Sequence, residues 1–205
     1  MKTLSIITVA YDGYSRFIPR FIESVEKQTI QPEEVIIVLS DDYTLKEIPE
    51  NVKIIKSEVL SWGSLLNKGI EKAKGDWVLC FDIDDILLEN AVKEIKESSE
   101  EVDIVTLKYY EDTIRNTPEI IRKRLKEWRK YYTKKSGYVA FKKELIENTD
   151  FWQYPFLFKA VANDKIIKST KNPCARYLKR PDGHGSGKNY AKAKEVIEEY
   201  ANKYS

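Results

Sequence analysis

The apolar residues of this chain are spaced first as a strand, then as a helix, and the alternation repeats. Leu4 to Val9 is a β-branched run that stops at Tyr11, Asp12 and Gly13, and Phe17, Ile18, Phe21, Ile22 and Val25 follow at helical spacing. Glu34 to Leu39 is a second short apolar strand, and Val52 to Ile55 a third, after a turn containing Pro49. A helix is predicted over Ser64 to Lys74, with Leu65, Leu66 and Ile70 inward and Gly75 and Asp76 closing it. Trp77 to Phe81 is apolar throughout, the pattern of a central strand covered on both faces. Next come a helix near Glu89 to Glu97, a strand at Asp103 to Leu107, and a long basic helix with Thr117 as N-cap and Pro118 at its first position. The remainder reads as a strand at Tyr138 to Phe141, helices near Lys142 to Ile146 and Pro155 to Ala162, a strand at Lys165 to Lys168 and a closing helix from about Asn189. Strands and helices alternate through about residue 107, which implies an α/β fold with a largely parallel sheet.

Length and composition narrow the class. With 205 residues, 42% apolar and 33% charged, the chain has material for one compact core and is too hydrophobic for a disordered tail. Thirty-five Lys and Arg balance 33 Asp and Glu to a net charge of +2, which argues against nucleic acid as the main partner. Cys80 and Cys174 are the only cysteines and His184 the only histidine, so neither a disulfide scaffold nor a zinc site is expected. No apolar run approaches the ~18 residues that cross a bilayer, and Met1 to Ala10 reads as a strand rather than a signal peptide, so the expected location is the cytoplasm. A bias to Lys, Glu and Ile, with little Gln and Met, points to a thermophilic source.

The candidate chemistry sits where the central strand ends, at Asp82, Ile83, Asp84 and Asp85. In open α/β sheets ligands bind beyond the carboxyl ends of the strands. Clustered carboxylates repel one another, and a hard divalent cation compensates, because Mg²⁺ or Mn²⁺ takes carboxylate oxygen and bridges to phosphate. The plainer alternative is a solvated acidic loop, in which Asp85 would serve as N-cap of the helix that follows.

Several ordered motifs carry a family resemblance. WGSLLNKGIEKAKGD followed by WVLCFDIDDILLENAV resembles the family-two, GT-A type glycosyltransferases, which show an Asn and a Gly in a helix, then a Gly, then an apolar strand ending in Asp-x-Asp. Asn67, Gly69, Gly75, Asp82 and Asp84 stand at those positions. The opening LSIITVAYDGYSRFIPRFIESVEKQT is similar to that family's first strand, variable loop and helix ending in Gln-Thr, here Gln28 and Thr29, and EEVIIVLSDD is similar to its second strand. The resemblance covers residues 3–95. It implies one GT-A domain over residues 1–205, a Rossmann-like mixed, mostly parallel sheet flanked by helices. Residues to about 107 would be the nucleotide-sugar-binding half, and about 108–205 a short acceptor-binding half that a second copy in a homo-oligomer could complete. It further implies an inverting, hexosyltransferase-type reaction from a nucleotide-diphospho-sugar to a glycan, protein or lipid acceptor. Mn²⁺ or Mg²⁺ would be held at Asp84, with Asp82 sharing it or facing the ribose. By the same resemblance Ala10, Tyr11, Asp41, Asn67 and Ile83 would line the nucleotide-sugar, with Tyr11 against the base and Asp41 hydrogen-bonded to it.

An inverting transfer needs a carboxylate to take the acceptor's proton. Aligning QYPFLFKAVANDKIIKST with the family's later helix puts Trp152 and Gln153 where a Glu-Asp pair is expected, and neither can be a base. Asp150, just upstream, is therefore the candidate, with Asp164 and Glu144 as weaker choices. RYLKRPDGHGSGK resembles the family's late loop, which implies Arg180, His184 and Lys188 near the diphosphate. Arg122 to Lys135, with eight basic residues and Trp128, Tyr131 and Tyr132, reads as a solvated helix face with aromatic anchors. Two competing functions remain. One is a nucleotide-sugar-binding module that has lost its base. The other is a phosphatase, since FDIDDILL is also similar to the first motif of haloacid-dehalogenase-type enzymes, with Asp82 as nucleophile and Asp84 as general acid. Against the latter, Ile86 replaces the expected Thr or Val, and three strands precede the motif.

Overall fold

The computed structural model describes residues 2–11, 13–40, 48–58, 62–110, 138–146, 160 and 163–178. Four parallel strands form one side of the sheet: β1 (Leu4–Ala10), β2 (Glu34–Leu39), β3 (Val52–Lys56) and β4 (Trp77–Cys80). Successive side chains of a strand point to opposite faces, and here each face has its own core. Leu4, Ile6, Ala10, Val35, Ile37, Trp77 and Leu79 pack with Ile18, Phe21, Ile22 and Val25 of α1 (Ile18–Glu26), which is entered through a 3-10 turn at Tyr14–Phe17. Ile7, Val9, Ile36, Val38, Val78 and Cys80 pack instead with Leu65, Leu66 and Ile70 of α2 (Trp62–Lys72). Continuous apolar runs are what such doubly covered strands require.

The second half supplies the antiparallel part of the mixed sheet. Its elements are β5 (Ile86–Leu87), α3 (Ala91–Ser98), β6 (Ile104–Tyr110), β7 (Val139–Lys142) and β8 (Ile167–Arg176). They extend the sheet to the order β3-β2-β1-β4-β7-β6-β8-β5. β7 runs antiparallel to both β4 and β6, and the two-residue β5 pairs antiparallel with β8. The helix expected near Lys142 to Ile146 is a single 3-10 turn at Lys143–Leu145. The strand expected at Lys165 to Lys168 is the ten-residue β8. Its second half is hidden in the pattern because Lys171, Asn172 and Pro173 look like a turn, and Pro173 cannot donate to a ladder. The pairing of β8 with β6 shifts register around Lys108, opposite Pro173. The N–H groups of Lys171 and Asn172 turn instead to the buried carboxylate of Glu94, at 3.1 Å each, and the Asn172 side chain donates to it as well. The basic helix from Thr117, the helix from Pro155 and the closing helix from Asn189 lie outside the described residues, Ala160 excepted.

Two glycines set how closely α2 and its exit approach β1. A Cβ on Gly69 would stand 2.5 Å from Ile7 Cγ2, and one on Gly75 would stand 2.7 Å from the Ser5 backbone nitrogen. Gln28, at the end of α1, is buried. Its Nε2 donates to the Leu88 carbonyl at 2.8 Å and its Oε1 accepts from the Val92 N–H at 3.0 Å, while Thr29 N–H donates to the Glu89 carbonyl at 2.8 Å. The Gln-Thr pair thus ties α1 to the segment between the acidic turn and α3.

Gly75→Ala forces backbone to move rather than a side-chain tip. The expected cost is about 1–3 kcal/mol, read as a lower midpoint in urea unfolding with an unchanged slope. Acid should weaken the fold through Glu94 and Asp103. Burial pushes the Glu94 carboxyl up, but the hydrogen bonds from Asn172 and Lys171 more than offset it, and the net position is below the ordinary 4.5. Burial likewise pushes Asp103 up, and the Lys142 ammonium and Ile166 N–H bring it below 3.8. Groups depressed on folding stabilise in full above their unfolded values and lose that contribution as pH falls through the folded ones. Stability should therefore be level through neutral pH and fall below about pH 4.5. Glu94→Gln should cost about 1–3 kcal/mol at pH 7 and less at pH 4, measured by denaturant titration at both.

Candidate functional site

The carboxyl ends of the first four strands make a common edge. Ala10 is in register with Leu39, and Leu39 with Lys56. One residue further, Ser40 N–H donates to the Ala10 carbonyl at 3.0 Å, Ser57 N–H to the Leu39 carbonyl at 2.9 Å, and Phe81 N–H to the Ile7 carbonyl at 2.9 Å. The chain leaves β4 at this edge and enters a turn closed by Asp85 N–H on the Asp82 carbonyl at 3.2 Å. Within the turn the side chains alternate between solvent and core: Asp82 is exposed, Ile83 buried, Asp84 half-buried, and Asp85 only 1% exposed. The three carboxylates are thus not equivalent. Asp82 and Asp84 remain accessible at the carboxyl edge of the sheet, and Asp85 belongs to the interior.

Asp85 does not cap α3, the role weighed for it in the sequence. That helix begins at Ala91 after Asn90, with no side-chain capping bond. One Asp85 oxygen accepts from the Leu178 N–H at 2.7 Å, just after β8, and the other from the Tyr138 hydroxyl, just before β7. Burial, and then the charges of Asp82, Asp85 and Asp84, hold the Tyr138 hydroxyl protonated far above its ordinary value, so it acts as a donor. Its ring lies 4.5 Å from Phe81 and 5.7 Å from Tyr109. On the other flank Arg20 of α1 donates to the main-chain carbonyl of Asp84, with its guanidinium 5.1 Å over the Phe17 ring. Burial, with Asp82 nearby, pushes the Cys80 thiol up, which leaves it inert beside the turn.

Of the other expected residues, Ala10 and Ile83 have core side chains, so each can offer only its main chain to a ligand. Tyr11 is half-buried at the edge, its ring stacked 6.2 Å from Tyr14. Asn67 is half-buried on α2 beside Lys68, whose ammonium donates to Ser57 Oγ at 3.0 Å. Glu144 and Asp164 are at the wrong end of the sheet. Antiparallel pairing sets Lys142 against Trp77, the start of β4, and Lys143 N–H donates to Asp76, so Glu144 lies opposite the acidic turn. Asp164 precedes Ile167, which pairs with Ile104 at that same end, and it occupies a turn at φ 54°. Asp41, Asp150, Arg180, His184 and Lys188 lie outside the described residues, as do Trp152 and Gln153.

Sequence reasoning missed Arg20 and Tyr138. Arg20 carries no signal beyond its place on α1, and Asp85, the hydrogen-bond partner of the Tyr138 hydroxyl, lies 53 residues from it in the chain. Among the described residues no group of three or more His, Cys, Asp or Glu side chains is placed to hold a metal ion. Asp82 and Asp84 nonetheless fit one, because Mg²⁺ is ordinarily bound through one or two carboxylates, with substrate phosphates supplying further oxygens. No helix among the described residues is long and apolar enough to cross a membrane.

Comparison with known proteins bears on this arrangement. The uncharacterized glycosyltransferase MG060 of Mycoplasma genitalium is 25% identical over 158 residues, 69% of this chain and 48% of that protein. The chain thus spans about half the length of this relative. Residues 1–349 of S. aureus TarS, in complex with UDP-GlcNAc, superpose with a TM-score of 0.69 at 21% identity, over 97% of this chain and 66% of that one. Glucosyl-3-phosphoglycerate synthase from Mycobacterium tuberculosis, in complex with Mg²⁺ and UDP, gives 0.70 at 15% identity over 98% and 80%. These likenesses show the fold to be GT-A, a mixed and mostly parallel sheet with flanking helices. The family model described as glycosyl transferase family 2 matches residues 5–167, and this chain belongs to that family.

Proposed function

We propose that this protein transfers a sugar from a nucleotide-diphospho-sugar to an acceptor hydroxyl with inversion, using a divalent cation held by Asp84 and Asp82. The observation that carries this reading is the acidic turn: an exposed and a half-buried carboxylate presented together beyond the carboxyl ends of four aligned parallel strands. The complexes formed by structures of the same fold, with UDP-GlcNAc or with Mg²⁺ and UDP, support it. Membership of family 2 removes the phosphatase alternative.

The leaving group is a nucleoside diphosphate, and a bound cation supplies electrostatic stabilisation for the charge its phosphates gain. In this reading Asp84 is the principal ligand, and Asp82 shares the cation or accepts from the ribose. Tyr11 lies against the base, Asp41 hydrogen-bonds it, and Asn67 with the main chain of Ala10 and Ile83 lines the donor. Arg180 and His184 neutralise the diphosphate from the late loop. Asp150 takes the proton of the acceptor hydroxyl on the face of the anomeric carbon away from the leaving group, which produces inversion. The donor half runs to about residue 107, and the remainder receives the acceptor.

Titration calorimetry with UDP, GDP and their common sugar forms, with Mn²⁺ and then with EDTA, is expected to show metal-dependent binding to one nucleotide and slow hydrolysis of its sugar form. Asp84→Ala should weaken that binding at least a hundredfold, about 2.7 kcal/mol, while its thermal midpoint stays near wild type. An unchanged affinity would remove Asp84 from the metal role. Asp150→Asn should leave donor affinity intact and lower kcat by about 10²–10⁴. Donor binding without turnover in the wild type, across varied acceptors, would favour the base-less module.

A further inference from the structure

We propose that Asp85 is a positioning residue: its buried carboxylate, the Tyr138 hydroxyl and the Arg20 guanidinium clamp the acidic turn in the orientation from which Asp82 and Asp84 meet the donor's diphosphate. The donor part of this inference rests on the function proposed above. The clamp itself stands on contacts in the protein alone.

Asp85 is the third carboxylate of the cluster, yet it is the one that is buried. At 1% exposure, with Leu178 N–H on one oxygen and the Tyr138 hydroxyl on the other, its carboxylate is hydrogen-bonded from inside the fold. An interior carboxylate without such donors would be expelled or protonated. Its anchors are themselves fixed. Tyr138 is packed on Phe81, with the rings tilted by 31°, and edge-on to Tyr109, and Leu178 lies two residues past the end of β8. From the opposite side Arg20 holds the Asp84 carbonyl, and the Asp85 N–H closes the turn on Asp82. The main chain from Asp82 to Asp85 is therefore pinned by α1, by the residue before β7 and by the second residue past β8. The main chain that carries Asp82 and Asp84 cannot tilt without breaking one of these bonds. A ligand site whose geometry is fixed before binding does not spend binding energy on ordering itself.

Three variants and two readouts test the clamp. Amide hydrogen exchange of the metal-free protein, followed by mass spectrometry, reports the turn without any ligand, and calorimetry with UDP and Mn²⁺ reports the site. Tyr138→Phe should speed exchange in the peptide spanning residues 82–85, leave α2 unchanged and weaken UDP binding about tenfold to a hundredfold. Arg20→Met keeps the packing on Phe17, removes the bond to Asp84 and should act in the same direction, which covers the case in which Tyr138→Phe fails to fold. Asp85→Asn retains both bonds, since its amide oxygen can accept from Leu178 and its amide nitrogen can donate to the Tyr138 oxygen. It should bind UDP within about threefold of wild type, a rescue that a charged ligand could not show. Loss of binding in Asp85→Asn as severe as in Asp84→Ala would make Asp85 a ligand and overturn the proposal. Unchanged exchange in both Tyr138→Phe and Arg20→Met would overturn the clamp, and faster exchange with unaltered UDP affinity would overturn its positioning role. A wild type that binds no nucleoside diphosphate would sink the proposed function instead, and the exchange result would then decide the clamp alone.

Discussion

Ile6 and Ile7 are neighbours in β1 and both are wholly buried, so neither face of this strand meets water. That requirement propagates outward. One face must be covered by α1 and the other by α2, and each helix must return the chain to the amino edge before the next parallel strand can start. Gly69 and Gly75 exist within this constraint, because α2 and its exit approach Ile7 and Ser5 more closely than any side chain permits. The same requirement places every strand-to-helix crossing of the first four strands at one edge. A crevice at that edge follows from the topology rather than from any residue in it.

Where the sheet turns irregular, buried carboxylates take over from the ladder. Glu94 gathers the N–H groups of Lys171 and Asn172 where β8 slips against β6, and Asp85 gathers Leu178 and Tyr138 where β4 and β8 end and β7 begins. A backbone N–H left unpaired in the interior costs about 1–3 kcal/mol, and an unpaired carboxylate costs more. Each arrangement holds only because both kinds of group are present. These two buried carboxylates therefore mark where strands stop pairing, and one of them belongs to the acidic turn of the candidate donor site.

The first four strands and the helices between them were legible in the sequence because their information is local. A residue such as Ile36 is buried on whichever partner it meets, and a β-branched run bounded by turn residues says so without reference to the rest of the chain. Asp82 and Asp84 were legible for a related reason: a polar pair at the end of a fully apolar strand must emerge at the sheet's edge. β8 was half hidden because its continuation past Lys168 depends on Glu94, which lies 77 residues earlier. The antiparallel course of β7 was hidden because four residues, Val139–Lys142, pair equally well in either direction by composition.

The sequence by itself determined the α/β class, the doubly covered strands and the strand end on which the acidic turn sits. Periodicity, burial and strand length act over a few residues and need no partner to be read. Only the tertiary structure decided which carboxylates stay accessible, sending Asp85 inward to Tyr138 and leaving Asp82 and Asp84 outward. It also decided that Glu144 and Asp164 stand at the far end of the sheet. Those outcomes depend on strand direction and on contacts between residues more than fifty positions apart, and no local pattern in the chain encodes either.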